Sequence, residues 1–100
     1  MKKADVGDPT LARTEFEALH AFQRIMWDKL MANAHKGGWE SASPEELLGR
    51  LEDELEELKR AVRCAESPEA VARECADVAN FAMMLADVVG GLPYKRRGGL

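Results

Sequence analysis

Apolar residues recur at helical spacing through almost the whole chain. Phe16, Leu19, Phe22, Met26 and Leu30 form one stripe, which predicts a first helix somewhere within residues 9–34. Asp8-Pro9 offers one start for it, and Thr14 with Glu17, a capping-box pair, offers another. The run His35-Lys36-Gly37-Gly38-Trp39 predicts a loop, because the glycine pair stops a helix. Ser43-Pro44-Glu45-Glu46 then supplies an N-cap serine, a proline at the first helical position and a glutamate at the third. This second helix is expected to run to about Cys64, with Leu48, Leu51, Leu55, Leu58 and Val62 as its buried seam. Ser67-Pro68-Glu69 repeats the start signal for a third helix. Its seam is expected at Val71, Cys75, Val78, Ala82, Leu85 and Val89, and Gly90-Gly91 with Pro93 ends it. No stretch alternates as a strand would. The expected fold class is all-α: a compact helical bundle in one domain over residues 1–100, with 1–8 and 94–100 as flexible tails.

Four acids break the apolar pattern in an ordered way. Glu54 and Glu57 lie three apart on the second helix, and Glu74 and Asp77 lie three apart on the third. A spacing of three places both members of each pair on one side of their helix. On a wheel of about 100° per residue with Val78 at zero, Glu74 falls near ~320° and Asp77 near ~260°. Those directions are shared with Leu85, Phe81, Val88 and Met84, so both acids sit among apolar neighbours. Burying lone carboxylates there is unfavourable by several kcal/mol, on the order expected for desolvated charges, unless a cation compensates. Arg73 is the nearest base on that helix. Oxygen donors of this kind suit Mg²⁺ or Mn²⁺ better than Zn²⁺. Asp53, beyond Glu57 on the wheel, reaches the same region from the rim.

Composition narrows the function classes. The chain has 100 residues, 46% hydrophobic and 32% charged, which describes an ordered, helix-rich domain. So short a chain buries a small fraction of its surface, and oligomerisation is the usual remedy. A net charge of −4 argues against nucleic acid as the main partner. Cys64 and Cys75 make neither a metal-binding spacing nor a disulfide framework, and both are expected to serve as small apolar helix residues in a reducing cytoplasm. Met1-Lys2-Lys3-Ala4-Asp5 leads into no apolar run, so no signal peptide is expected. No segment predicts a membrane span.

With Glu54-Leu55-Glu56-Glu57-Leu58 followed by Glu74-Cys75-Ala76-Asp77-Val78-Ala79-Asn80, the chain resembles the MazG-like all-α nucleoside triphosphate pyrophosphohydrolases. That superfamily carries E-x-x-E and E-x-x-D on successive helices as its divalent-metal motif. The resemblance covers roughly Phe16 to Gly91, and the His35–Trp39 loop with the segment from Asp77 to Asp87 looks most like a phage and bacterial dATP/dGTP pyrophosphohydrolase branch. It implies an oligomer, either a homodimer or a homotetramer. It also implies hydrolysis of a nucleoside triphosphate to monophosphate and pyrophosphate, adjusting a nucleotide pool. The metal ligands would be Glu54, Glu57, Glu74 and Asp77, holding Mg²⁺ or Mn²⁺. A water acidified by the cation would attack the α-phosphorus, and Glu54 or Asp53 would take its proton.

Other residues carry two readings each. Lys36 contacts phosphate or is a lysine favoured by a helix C-terminus. Trp39 stacks on a base or packs over the helices. Asn80, one turn after Asp77, contacts nucleotide or metal-bound water, or neither. Lys95, Arg96 and Arg97 reach a neighbouring subunit's phosphates or form a solvated tail. Glu17-x-x-His20 has the spacing of di-iron bundles, but such sites need two copies and His35 follows Ala32, so His20 is read as an ordinary helix residue. The alternatives to a purine-nucleotide enzyme are a phosphoribosyl-ATP or pyrimidine-nucleotide pyrophosphohydrolase, and a non-catalytic helical interaction module.

Overall fold

Two serine caps fix where the helices begin. In the computed structural model, which describes residues 9–94 with side chains from residue 13 onward, Ser43 Oγ accepts from the Glu46 amide at 3.1 Å. The Glu46 carboxylate returns the favour by accepting from the Ser43 amide at 2.8 Å, closing the capping box. Ser67 Oγ accepts from the Ala70 amide at 3.1 Å. The element order is α1 (Pro9–Ala32), a 3-10 turn (Ala34–Lys36), α2 (Pro44–Arg63) and α3 (Pro68–Val88). No strand occurs among the described residues, and no helix is long and apolar enough to cross a membrane. Residues 9–13 are already helical, so Thr14 with Glu17 does not open α1; Asp8 lies outside the described residues.

Both later helices end in the same six-to-one hydrogen-bond pattern. The Gly91 amide donates to Ala86 and the Gly90 amide to Asp87, with Gly90 in the left-handed region at φ 82°. At the end of α2 the Glu66 amide donates to Ala61 and the Ala65 amide to Val62. Here the left-handed position is held by Ala65 at φ 53°, where glycine is the usual residue.

Helix α3 packs against both α1 and α2, and those two do not pack on each other. They diverge above α3 and leave a cleft that α3 floors. The packed faces differ from the expected seams. On α2 the buried residues are Leu47 and Ala61, while Leu48, Leu55 and Val62 are exposed. Leu51 and Leu58 of the expected seam are half-buried, so the packed face keeps them and turns toward Leu47, Glu54 and Ala61, which repeat every seven positions. On α3 the deepest residues are Ala76, Asn80 and Asp87, whereas Ala82 and Val89 are exposed and Val78 and Leu85 only half-buried. The expected α3 stripe is thus partly covered, with Val71 and Cys75 also half-buried. The hydrophobic core proper is Leu47, Ala61 and Ala76. Cys64 caps the end of α2 in an exposed position instead of filling a core gap, and Cys75 is half-buried. Tyr94, expected in the C-terminal tail, is pinned to α3 through its hydroxyl, which donates to Asp87 Oδ1 at 2.8 Å. Lys95, Arg96 and Arg97 lie outside the described residues.

Candidate metal centre and its cleft

Helices α2 and α3 bring three of the four expected ligands together. One carboxylate oxygen each from Glu54, Glu74 and Asp77 lies within 4.8 Å of the others, and all three residues are half-buried. It is the one such acid, histidine or cysteine cluster among the described residues. The mutual repulsion is visible in proton affinity. Burial, then Asp77, Glu74 and Glu57, raise the Glu54 pKa above its ordinary value, and Arg50 opposes them. Burial, then Asp77 and Glu57, raise the Glu74 pKa, with Lys29 opposing.

Glu57 stands next to the cluster without joining it. Its carboxylate accepts from Arg60 of the same helix at 2.8 Å, in an exposed pair. Such a pair contributes on the order of 0–1 kcal/mol, so little holds Glu57 away from the cluster. Asp53 is exposed and faces a surface hollow beside Glu45, Glu46 and Glu52, on another side of α2. Of the two expected proton acceptors, only Glu54 lies in the cluster.

The cation that answers the acids was invisible to a reading of α3 alone. Lys29, from α1, pairs with Asp77 at 3.3 Å. Arg73, the expected neighbour, is exposed and makes no ion pair within the described residues. Arg50 stacks its guanidinium over the Phe81 ring at 5.0 Å and tempers the charge of Glu54. Lys29 is far from the acids in sequence and only a cross-helix contact finds it, whereas Arg50 stands four residues before Glu54 on α2, one turn away on the same helix.

The cluster opens into the cleft between α1 and α2, a cavity of about 380 Å³. Lys29, Lys36, Trp39, Arg50, Asn80 and Phe81 line it together with Glu54 and Asp77. All three expected substrate contacts, Lys36, Trp39 and Asn80, therefore share one wall system with the acids. Gly37, at φ 93°, allows the sharp exit from the 3-10 turn that turns Trp39 inward. The Trp39 indole N–H donates to Asp87 Oδ2 at 2.9 Å. Asp87 thus holds both Trp39 and Tyr94 from the last turn of α3. Asn80 is 4% exposed, and its Nδ2 donates to the Met26 carbonyl of α1 at 3.1 Å. Its Oδ1 has no partner. A bare buried acceptor of this kind costs about 1–3 kcal/mol. His20 stacks on Phe16 at 5.8 Å and takes no part in the acid cluster.

Three converging carboxylates with one lysine among them carry uncompensated negative charge, and their donors are all oxygen. That set fits a hard divalent cation, Mg²⁺ or Mn²⁺. No family model, curated protein or solved structure matches the chain.

Proposed function

We propose that the protein is a metal-dependent hydrolase of nucleoside triphosphates, releasing monophosphate and pyrophosphate in the manner of the MazG-like enzymes it resembles. One observation carries this reading: Glu54, Glu74 and Asp77 converge from two helices at the edge of a cleft lined by Lys29, Lys36 and Arg50. Acids that collect a cation and bases that face phosphate oxygens, side by side, are what a triphosphate requires. Deoxynucleotides, dGTP or dATP, are the proposed substrates, used to adjust a nucleotide pool.

Glu54, Glu74 and Asp77 would hold Mg²⁺ or Mn²⁺, with Glu57 recruited from its exposed Arg60 pair. The cation supplies charge neutralisation at the phosphates and acidifies water. Lys29, paired with Asp77 in this structure, would be free to turn to the phosphate chain once Asp77 held the cation. Glu54 would accept the proton lost by water through a carboxylate oxygen that does not hold the cation, as the water oxygen bonds to the α-phosphorus. The bond from the α-phosphorus to the bridging oxygen breaks, and Lys29, Lys36 and Arg50 stabilise the departing pyrophosphate. Trp39, fixed by Asp87, offers its indole face to the base.

The exposed apolar residues on α1 and α2 support a homo-oligomer, dimeric or tetrameric, as the working form. The function is tested by pyrophosphate release from a panel of ribo- and deoxynucleoside triphosphates with Mg²⁺ or Mn²⁺, with Glu74→Gln as control. Release from dGTP or dATP that falls at least about 100-fold in the variant is the expected result. Release from dUTP or dCTP alone would keep the chemistry and replace the substrate. No release from any nucleotide by the folded protein would overturn the proposal in favour of an interaction module.

A further inference from the structure

The cleft has a direction. Along α3 the residues that face it run from Asp77 in the acid cluster to Asn80, Phe81 and Met84, and Trp39 is anchored beyond them at Asp87. Asn80 follows Asp77 by three residues, a rise of about 4.5 Å along the helix. A ligand whose phosphates lie at the acid cluster and whose base lies at Trp39 therefore places its sugar beside Asn80. The Asn80 amide has its orientation fixed from behind. The Met26 carbonyl needs a donor, so Nδ2 turns toward α1 and Oδ1 is left toward the remaining side. That oxygen is buried and unpartnered in a residue that lines the cleft.

We propose that Asn80 Oδ1 is the acceptor for a neutral hydroxyl on the ligand's sugar, the 3′-hydroxyl of the nucleotide, and so positions the sugar between the acid cluster and Trp39. The inference rests on the nucleotide reading above and deepens it. A neutral donor suits this position because an amide oxygen carries no charge to attract a cation. Of the bases in the cleft, Lys29 is engaged by Asp77 and Arg50 by the Phe81 ring.

The test compares binding of two non-hydrolysable α,β-imido triphosphates, one a 2′-deoxynucleotide and one its 2′,3′-dideoxy counterpart, by titration calorimetry with Mg²⁺. Wild-type protein is expected to bind the 3′-hydroxyl form roughly tenfold more tightly or better, as the loss of one satisfied buried acceptor implies. Asn80→Ala should bind both analogues alike, at the level of wild type with the dideoxy form, while titration with Mn²⁺ alone is unchanged. Equal wild-type affinity for the two analogues would overturn the proposal and leave the nucleotide reading standing; this comparison needs no variant to fold. A variant that folds and keeps the preference would overturn it as well. Binding of neither analogue to wild type would remove the nucleotide reading, and this inference with it.

Discussion

Lys29 and Asp77 show how one residue pair sets the resting state of the site. The ion pair at 3.3 Å offsets part of the repulsion among three carboxylates, but a single lysine leaves the cluster negative. Replacing Lys29 by Met is expected to lower metal-free stability by about 1–2 kcal/mol, between the values for exposed and buried pairs. The same change should enlarge the rise in Tm on adding Mn²⁺, because the cation then relieves more repulsion. Thermal melts with and without Mn²⁺ measure both effects, and a variant with an unaltered metal response would show that Lys29 and the cation do not share a site. Proton linkage gives a second expectation. Glu54 and Glu74 both have folded pKa values raised above the ordinary 4.5. Between the unfolded and folded values the native state therefore binds more protons than the unfolded chain. Metal-free stability should fall as pH rises from about 4.5 through the raised values, and return on acidification across that window. Under saturating Mg²⁺ the slope should reverse, because the cation binds the deprotonated acids. Melts across that pH range, with and without Mg²⁺, decide it; parallel slopes would separate the acids from metal binding.

At the scale of whole elements, the caps were the most legible part of the sequence. Ser43 and Ser67 open α2 and α3 as written, since a cap is a local interaction between residues three apart. The acids were legible for a related reason: helical spacing aligns Glu54 with Glu57 and Glu74 with Asp77, although the structure gathers only Glu54, Glu74 and Asp77. Which face of each helix is packed was less so. Leu47 and Leu48 are adjacent and equally apolar, and only the crossing of α2 over α3 decides that Leu47 goes inside. The helix α3 is apolar over most of its circumference, so periodicity could not tell the face of Ala76 and Asn80 from that of Val78 and Ala82. The ends of the helices offer a direct comparison. Gly90 and Ala65 occupy equivalent left-handed positions, one with the residue the geometry favours and one without. Ala65→Gly should therefore stabilise the protein by roughly 0.5–1 kcal/mol, the relief of a left-handed alanine less the added freedom of glycine in the unfolded chain. Chemical denaturation should show a higher midpoint with the slope unchanged; a lower midpoint would mean that the Ala65 methyl makes a packing contact outweighing the strain.

Much apolar surface of the molecule stands open. Among the described residues Leu47, Ala61 and Ala76 are the buried apolar ones, while Phe16, Leu19, Trp27, Met31, Leu48, Leu55 and Val62 are exposed. A radius of gyration of 16.2 Å exceeds the roughly 13 Å expected of a compact domain of this length. Leu48, Leu55 and Val62 recur every seven residues along α2, the period of a helix that packs against another over several turns. A second copy of this chain would cover such a stripe by two-fold symmetry without any further partner. Leu55 is adjacent to Glu54, so an interface on that stripe would also exclude water from the back of the metal centre. Leu55→Glu is accordingly expected to reduce the mass seen by size-exclusion chromatography with light scattering toward 11.1 kDa. It should lower Tm and weaken Mn²⁺ binding together, although Leu55 is no ligand. An oligomer of unchanged mass in that variant would move the interface away from α2, and the exposed residues Phe16, Leu19 and Met31 of α1 would then be the surface to vary.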